Sequence, residues 1–181
     1  MTLLSDKSIR ERSESNGLIY PYSEDQLQPC SYDVTLGSTI IRFIGSGEID
    51  AASRSLNRIE YFRFDIPEVG YVLDPGEFIL GSTNEGVSIP SDIAARYEGK
   101  SSLGRLGLAS HITAGFIDPG FRGDITLEIK NENNHPIRIK SGMAIGQLCF
   151  FAVDQNVERP YGSKDLGSHY FDQIGPTVSR M

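Results

Sequence analysis

Cysteine and histidine are scarce in this chain, with two and three copies among its 181 residues. Cys30 and Cys149 are far apart in the sequence and the histidines are scattered, so no standard zinc-ligand spacing is present. Two distant cysteines also do not indicate a disulfide framework. We predict that both are buried thiols in a cytoplasmic protein.

The sequence also lacks a long apolar run and an excess of basic residues. We therefore predict no membrane span, and the first 15 residues have no apolar core of the kind that signal peptides carry. Because 24 acidic side chains outnumber 17 basic ones, the net charge is −7, which argues against a broad nucleic-acid surface. A small anionic ligand stays open, since a local basic pocket can oppose the overall charge.

The fold class follows from short runs of alternating or β-branched residues that glycine and proline interrupt. Such runs predict strands at residues 31–37, 61–66, 71–73, 76–81, 87–90, 93–97, 124–130 and 137–140. The most apolar run, residues 142–153, is predicted to be a buried strand rather than a helix. Many short strands between turn residues indicate an all-β barrel or sandwich.

Both ends of the chain depart from this strand pattern. We predict a short helix that Ser5 caps and that ends near Asn16, before Gly17, with a loop over residues 17–29. No repeat or linker divides the chain, which favours a single domain over residues 1–181. From residue 154 onward the polar composition is typical of a flexible tail. Its aromatic side chains predict that this tail docks onto another surface.

Residues 98–128 concentrate groups that suit nucleotide chemistry. The stretch opens with Lys100, Ser101, Ser102, Gly104 and Arg105. Arginine and serine side chains donate to phosphate oxygens, and glycine lets a phosphate approach the backbone. The glycines that a Walker loop needs before its lysine are missing, so an ordinary solvated turn between strands stays an alternative.

Two carboxylates follow in the same stretch. Asp118 precedes a Pro-Gly turn, which predicts a strand end that faces a cleft, with Phe116 and Phe121 as walls for a ring-shaped ligand. A hairpin with an exposed aspartate is the alternative. Glu128 alternates with apolar side chains, so it points either into a pocket, where it could move protons, or to solvent beside Lys130.

These motifs together resemble a known family. The segments EGKSSLGRLGL at 98–108, AGFIDPGF at 114–121 and ITLE at 125–128 resemble the dCTP deaminases of the dUTPase superfamily. The form AGFIDPGF, rather than AHRIDPGW, is similar to the bifunctional, dUMP-forming branch. The resemblance covers nearly the whole chain, because LLSDKSIRERSESNG, QPCSYDVTLG, LDPGEFILGST, SGMAIGQL and PYGSKDLGSHYFDQIGP also match in order. Residues 161–176 replace the glycine-rich closing arm of simple dUTPases, which favours the deaminase branch.

The resemblance implies a homotrimer of distorted β-barrel, jelly-roll-like subunits with active sites between subunits. It implies that Glu128 is the proton shuttle, that Mg²⁺ accompanies the triphosphate and that no zinc takes part. The residues expected to bind the nucleotide, with the tail closing over it, are Lys100, Ser101, Ser102, Leu103, Gly104, Arg105, Asp118, Thr126, Leu127, Glu128, Gln147, Tyr161, His169 and Gln173. His169 stands where the family usually has lysine, which leaves its phosphate contact open.

The implied reaction converts dCTP to dUMP, ammonia and pyrophosphate, which supplies dUMP for thymidylate synthesis. Glu128 would activate a water for attack on C4 of cytosine, and Asp118 would orient a second water for attack on the α-phosphorus. We expect the Gly115-Phe116 pair, in place of a bulkier His-Arg pair, to leave room for that second water. The alternatives are a monofunctional dCTP deaminase or dUTPase and, from another class, a non-catalytic jelly-roll module.

Overall fold

The computed structural model describes residues 2–45, 47–51 and 59–180. Residues 1, 46, 52–58 and 181, which the single-domain prediction also spans, lie outside the described residues. The helices are α1 (Asp6–Asn16) and α2 (Ser101–Gly104), with a 3₁₀ turn at Glu24–Gln26. The strands are β1 (Thr2–Leu3), β2 (Ile19–Tyr20), β3 (Leu27–Gln28), β4 (Ser31–Thr35), β5 (Thr39–Phe43), β6 (Tyr61–Asp65), β7 (Tyr71–Leu73), β8 (Phe78–Ser88), β9 (Ile93–Gly99), β10 (Leu108–Ala109), β11 (Phe116–Ile117), β12 (Arg122–Asn131), β13 (Ile137–Ile139) and β14 (Ala144–Ala152).

Two antiparallel six-stranded sheets form the body of the described chain. In the first sheet the strand order is β11-β9-β14-β4-β3, with β1 beside β14. In the second the order is β10-β12-β8-β5-β6, with β2 beside β8, while β13 and β7 form a small third sheet. One hydrophobic core takes side chains from both large sheets, such as Val34 and Ile145 from the first and Ile40 and Leu127 from the second. The prediction of a mainly β fold is confirmed.

Strand β8 corrects one boundary of the sequence prediction. The runs at 76–81 and 87–90 were expected to be separate strands, but a single strand of 11 residues joins the two runs, from Phe78 to Ser88. Its internal glycines relieve crowding instead of ending the strand: a Cβ at Gly86 would lie 2.5 Å from the Tyr20 ring, and one at Gly81 would lie 2.9 Å from Ile129. A glycine inside a strand often marks such a close approach.

Helix α1 forms as predicted, with two local corrections. Gly17 ends it in the left-handed conformation, with φ 64°, and its N–H donates to Ser13 O over 3.0 Å. Ser5 occupies the N-cap position, but its side chain makes no capping hydrogen bond. The predicted loop at 17–29 contains β2 and β3, because two short pieces pair with larger strands. Of the helices in the described ranges, none is long and apolar enough to cross a membrane.

The cysteines differ in their surroundings. Cys30 is exposed, so the prediction that both thiols are buried is wrong for this residue, which lies in the turn between β3 and β4. Cys149 is half-buried on β14, and its burial, with smaller contributions from Glu98 and Cys30, raises the pKa of its thiol.

The tail lies against β12 and the turn that precedes it. The Tyr161 N–H donates to Pro119 O over 2.7 Å, and the Asp172 N–H donates to Arg122 O over 2.9 Å. Farther along, Gln173 forms a parallel bridge with Gly123. The predicted docking of the tail is confirmed, and it brings residues 161–179 next to the outer face of the second sheet.

Candidate active site

A cavity of about 510 Å³ lies between the outer face of the second sheet, the segment 111–121 and the tail. Strands β5, β8 and β12 form its floor. Its lining consists of Phe43, Phe78, Leu80, His111, Ala114, Phe116, Ile117, Asp118, Phe121, Ile125, Thr126, Glu128, Tyr161, Tyr170, Gln173, Thr177 and Ser179. The wall is largely apolar and aromatic, with carboxylates, hydroxyls and one amide at separate points, which is typical of small-molecule sites.

Glu128 reaches this cavity from β12. The strand alternates, so Leu127 and Ile129 are fully buried in the core while Glu128 is half-buried on the opposite face. Its Oε2 accepts a hydrogen bond from the Ile112 N–H over 2.9 Å. The alternative prediction was that Glu128 points to solvent beside Lys130. In the structure Lys130 instead forms an ion pair with Glu132 at 2.9 Å. The geometry therefore favours the pocket.

The residues on either side of Glu128 divide between the cavity and the core. Thr126 lines the cavity, and its Oγ1 accepts a hydrogen bond from the Thr177 N–H over 3.2 Å. The Leu127 side chain is fully buried among core residues. A ligand in this cavity can therefore meet Leu127 only through its backbone.

Asp118 stands at the end of β11, as the Pro-Gly turn predicts. It is exposed, it lines the cavity, and its carbonyl accepts from the Phe121 N–H over 3.1 Å to close the turn. Phe116 is 56% exposed and Phe121 is buried, and both line the same cavity. Phe121 also packs against Tyr161, with ring centroids 5.6 Å apart. Asp118 and Glu128 thus share one cavity.

The segment between Ser110 and Gly115 rests on Tyr97. The Tyr97 hydroxyl lies 2.9 Å from Ser110 Oγ, the ring centroid lies 5.5 Å from that of His111, and burial raises the pKa of Tyr97. A Cβ at Gly115 would lie 2.8 Å from Tyr97 O and 3.1 Å from the His111 ring. The space beside Gly115 is therefore filled by protein, whereas Phe116 lines the cavity with an exposed side chain.

Gln173 brings the tail into the cavity wall. Its side chain is 6% exposed, and Nε2 donates to Asp124 O over 2.7 Å. Within the described ranges, Oε1 is buried and has no hydrogen-bond partner. A buried acceptor without a partner costs about 1–3 kcal/mol. Tyr161 lines the same side, whereas His169 is exposed and outside the lining.

The predicted phosphate-binding residues lie apart from this cavity. Lys100 is the N-cap residue of α2, where a solvated turn was the alternative, and its Nζ lies 2.6 Å from Asp33 Oδ2. Gln147 pairs in register with Asp33 on the neighbouring strand, and its Oε1 accepts from the Ser31 hydroxyl over 2.9 Å. The remaining members are Ser101, Ser102, Gly104 and Arg105, which are exposed, and Leu103, which packs against the core. We call residues 100–105 together with Gln147 the Lys100 cluster. None of them is among the described residues that line the cavity.

Several lining residues escape the sequence argument. Phe43 and Phe78 stack side by side at 5.8 Å with an interplanar angle of 11°, and Tyr170, Thr177 and Ser179 come from the tail. The alternation of β5 places Phe43 on an outer face, but only the pairing of β5 with β8 brings the two rings together. His111 lies within the central stretch, although no pattern singled it out.

Comparison with known proteins gives a consistent result. A sequence model of the family described as dCTP deaminase-like matches residues 3–153. The chain is 49% identical to "dCTP deaminase, dUMP-forming" of Beutenbergia cavernae and 47% identical to that of Streptomyces coelicolor, covering 98% of this chain and 94% of each relative. The solved 2'-deoxycytidine 5'-triphosphate deaminase of Agrobacterium tumefaciens aligns with a TM-score of 0.68 and 27% identity over 84% of this chain; the chain spans about half, 48%, of that structure. This chain belongs to the dCTP deaminase-like family.

Proposed function

We propose that this protein converts dCTP to dUMP, ammonia and pyrophosphate. The observation that carries the proposal is that the carboxylates of Glu128 and Asp118 line one cavity, in a chain whose relatives are named dUMP-forming dCTP deaminases. Two hydrolytic steps on one nucleotide require two activated waters, and two separately placed carboxylates can each serve one of them.

Glu128 is assigned the deamination step. Its Oε2 is held by the Ile112 N–H, which orients the carboxylate toward the cavity. Glu128 takes a proton from a water as the water oxygen bonds to C4 of cytosine. It gives this proton to the ring nitrogen, then takes the proton of the new C4 hydroxyl and gives it to the amino group. The C4–N bond then breaks, and ammonia leaves as the uracil carbonyl forms.

Asp118 is assigned the phosphate step. It orients a second water for in-line attack on the α-phosphorus, and the bond to the β-phosphate bridging oxygen breaks to release pyrophosphate. We assign the metal ion to the oxygens of the triphosphate. Mg²⁺ bound in that way would offset negative charge on the phosphates.

The Lys100 cluster is assigned to the triphosphate, supplied by a neighbouring copy. Lys100 and Arg105 are cations that can bind phosphate oxygens, and Ser101 and Ser102 are exposed donors beside them. They are absent from the described lining of the cavity that holds Glu128. A closed ring of three subunits would bring the Lys100 cluster of one copy to the cavity of the next, giving three shared sites.

We assign to the tail the role of covering the bound nucleotide and contacting it. Gln173 offers a buried acceptor, which suits a donor on the base or the sugar, and Tyr161 closes the same wall. Arg180 Nη1 donates to His169 O over 2.9 Å, so a guanidinium stands beside the position where lysine is usual in the family. Either side chain can carry the positive charge toward the triphosphate.

A product assay tests the proposal directly. Purified protein is incubated with dCTP and Mg²⁺, and ammonia, dUTP, dUMP and pyrophosphate are followed over time. We expect ammonia and dUMP in equal amounts with little free dUTP, and hydrolysis of added dUTP to dUMP. Stable dUTP would leave a monofunctional deaminase, hydrolysis of dUTP without ammonia from dCTP would leave a dUTPase, and no turnover would contradict the proposal.

A further inference from the structure

The outer face of β12 holds the tail at three points. Arg122, Asp124 and Thr126 alternate along this strand and each binds a different part of the tail. The Arg122 guanidinium pairs with the Asp172 carboxylate through Nε and Nη2, the latter at 2.7 Å from Oδ2. Asp124 Oδ2 accepts from the Gly175 N–H over 2.8 Å, and Thr126 Oγ1 accepts from the Thr177 N–H.

Gln173 lies within this row of contacts. The Asp124 N–H donates to Gln173 O over 3.0 Å, and Gln173 Nε2 donates back to Asp124 O over 2.7 Å. Gly123 permits the approach, because it has φ 131° and a Cβ there would lie 2.6 Å from Gln173 O. The backbone and the amide nitrogen of Gln173 are thereby engaged by β12. Its Oε1 is buried without a hydrogen-bond partner in the described ranges, in a residue that lines the cavity.

We propose that Arg122 and Asp124 are positioning residues that fix the tail on β12 so that Gln173 stays in the wall of the cavity that takes the nucleotide. This inference rests on the proposed function for its ligand. Arg122 pairs with Asp172, the residue directly before Gln173. Asp124 accepts a hydrogen bond from Gly175, the second residue after Gln173. The two contacts bracket Gln173 and set its position along the strand.

The Arg122 contact has the features of a charge-dependent clamp. Arg122 also lies over the Phe171 ring at 5.5 Å, and it holds the pKa of Asp172 below its ordinary value. Asp172 has φ 56°, the one positive φ outside glycine in the described ranges. Both side chains are about half-exposed, at 55% and 46%, so salt should weaken the clamp.

Hydrogen exchange in the nucleotide-free protein tests the clamp without reference to catalysis. In the wild type we expect slow exchange of the amides in residues 171–178. Arg122→Glu and Asp124→Ala should each speed that exchange by about 3- to 10-fold, since an exposed pair or a single hydrogen bond contributes modestly. Asp124→Asn keeps an acceptor for the Gly175 N–H and should restore protection. The control is Arg10→Glu, which removes a similar bidentate pair with Glu24 outside the cavity lining.

Kinetics and binding test the positioning role. Arg122→Glu should raise KM for dCTP and Kd for the α,β-imido analogue of dCTP by about 3- to 10-fold at low salt, with kcat within about twofold. The double variant Arg122→Glu/Asp172→Lys should recover most of the loss, and Arg10→Glu should leave KM unchanged. The inference would be overturned if Arg122→Glu and Asp124→Ala both showed the hydrogen-exchange rates and the KM for dCTP of the wild type. If the wild type does not turn over dCTP, the proposed function fails. The hydrogen-exchange rates and the Kd of the analogue still show whether Arg122 and Asp124 hold the tail in place.

Discussion

Lys100 and Asp33 form an ion pair of 2.6 Å outside the cavity that holds Glu128. The pair anchors the start of α2 to β4, so the exposed serines and Arg105 are presented on a fixed support rather than on a loose turn. One subunit therefore separates the two halves of the proposed site: carboxylates and aromatic rings lie in one place, and the proposed phosphate donors lie in the other.

This division predicts complementation between two inactive variants. Glu128→Gln and Arg105→Ala should each be nearly inactive alone. When they are unfolded and refolded together, some sites combine an intact Glu128 with an intact Arg105 from a neighbour. Random mixing in a closed ring should give about a quarter of wild-type dCTP turnover per site. Activity no greater than the sum of the separate variants would contradict a shared site. Mixing Glu128→Gln with itself is the matched control.

Removing the Glu128 charge should separate chemistry from binding. Glutamine keeps an oxygen for the Ile112 N–H, so the segment that contacts it should stay in place. We expect Glu128→Gln to slow ammonia release by about 10² or more, because it removes the proton shuttle. Titration with dCTP should show affinity within roughly threefold of the wild type. Glu132→Gln, which changes a carboxylate paired with Lys130, is the control, and near-normal deamination by Glu128→Gln would rule out its assigned role.

The alternating residues carry most of what the sequence could predict. Leu127 and Glu128 face opposite ways because a strand has a period of two, so the pattern separates a core residue from an outer-face residue. Whether Glu128 faced a pocket or solvent did not follow from the pattern. The turn after Asp118 likewise places it at a strand end. The motifs of the Lys100 cluster could be recognised, but their separation from the cavity could not, since it depends on how two sheets are arranged in space.

The features that the sequence could not predict have a common physical cause. The role of Gly115 in admitting a water stays a prediction, because what surrounds a glycine depends on its tertiary neighbours, here Tyr97 and His111. The stacking of Phe43 on Phe78 depends on the pairing of β5 with β8. Cys30 was expected to be buried because cysteine often is, but its position in a turn exposes it to solvent.

Asp118→Asn should affect the two steps unequally. The amide keeps the size of the side chain but cannot serve as a carboxylate base for the second water. We expect dUTP hydrolysis to fall by about 10² while deamination stays within roughly threefold, so dUTP should accumulate from dCTP. Time courses resolved by chromatography check this. Asp154→Asn, outside the cavity lining, should behave as the wild type, and equal loss of both steps would contradict the assignment.

The coupling of the two steps should depend on Phe116 more directly than on Gly115. Phe116 is 56% exposed and lines the cavity, so Phe116→Arg should be tolerated by the fold while it places a bulky cation near Asp118. That side chain can displace the second water, and we expect dUTP hydrolysis to fall by about tenfold with dUTP accumulating. Phe62→Arg, at another exposed phenylalanine, is the control.

Gly115→Ala should instead disturb both steps. Its Cβ would lie 2.8 Å from the Tyr97 carbonyl, so the segment must shift, and Ile112 in that segment donates to Glu128. We expect a loss of about 1–3 kcal/mol in the free energy of unfolding, together with slower deamination and slower hydrolysis. Thermal denaturation and the ratio of dUTP to dUMP measure the two effects. If Gly115→Ala spared deamination and released dUTP while Phe116→Arg still produced only dUMP, the glycine itself would control the second water.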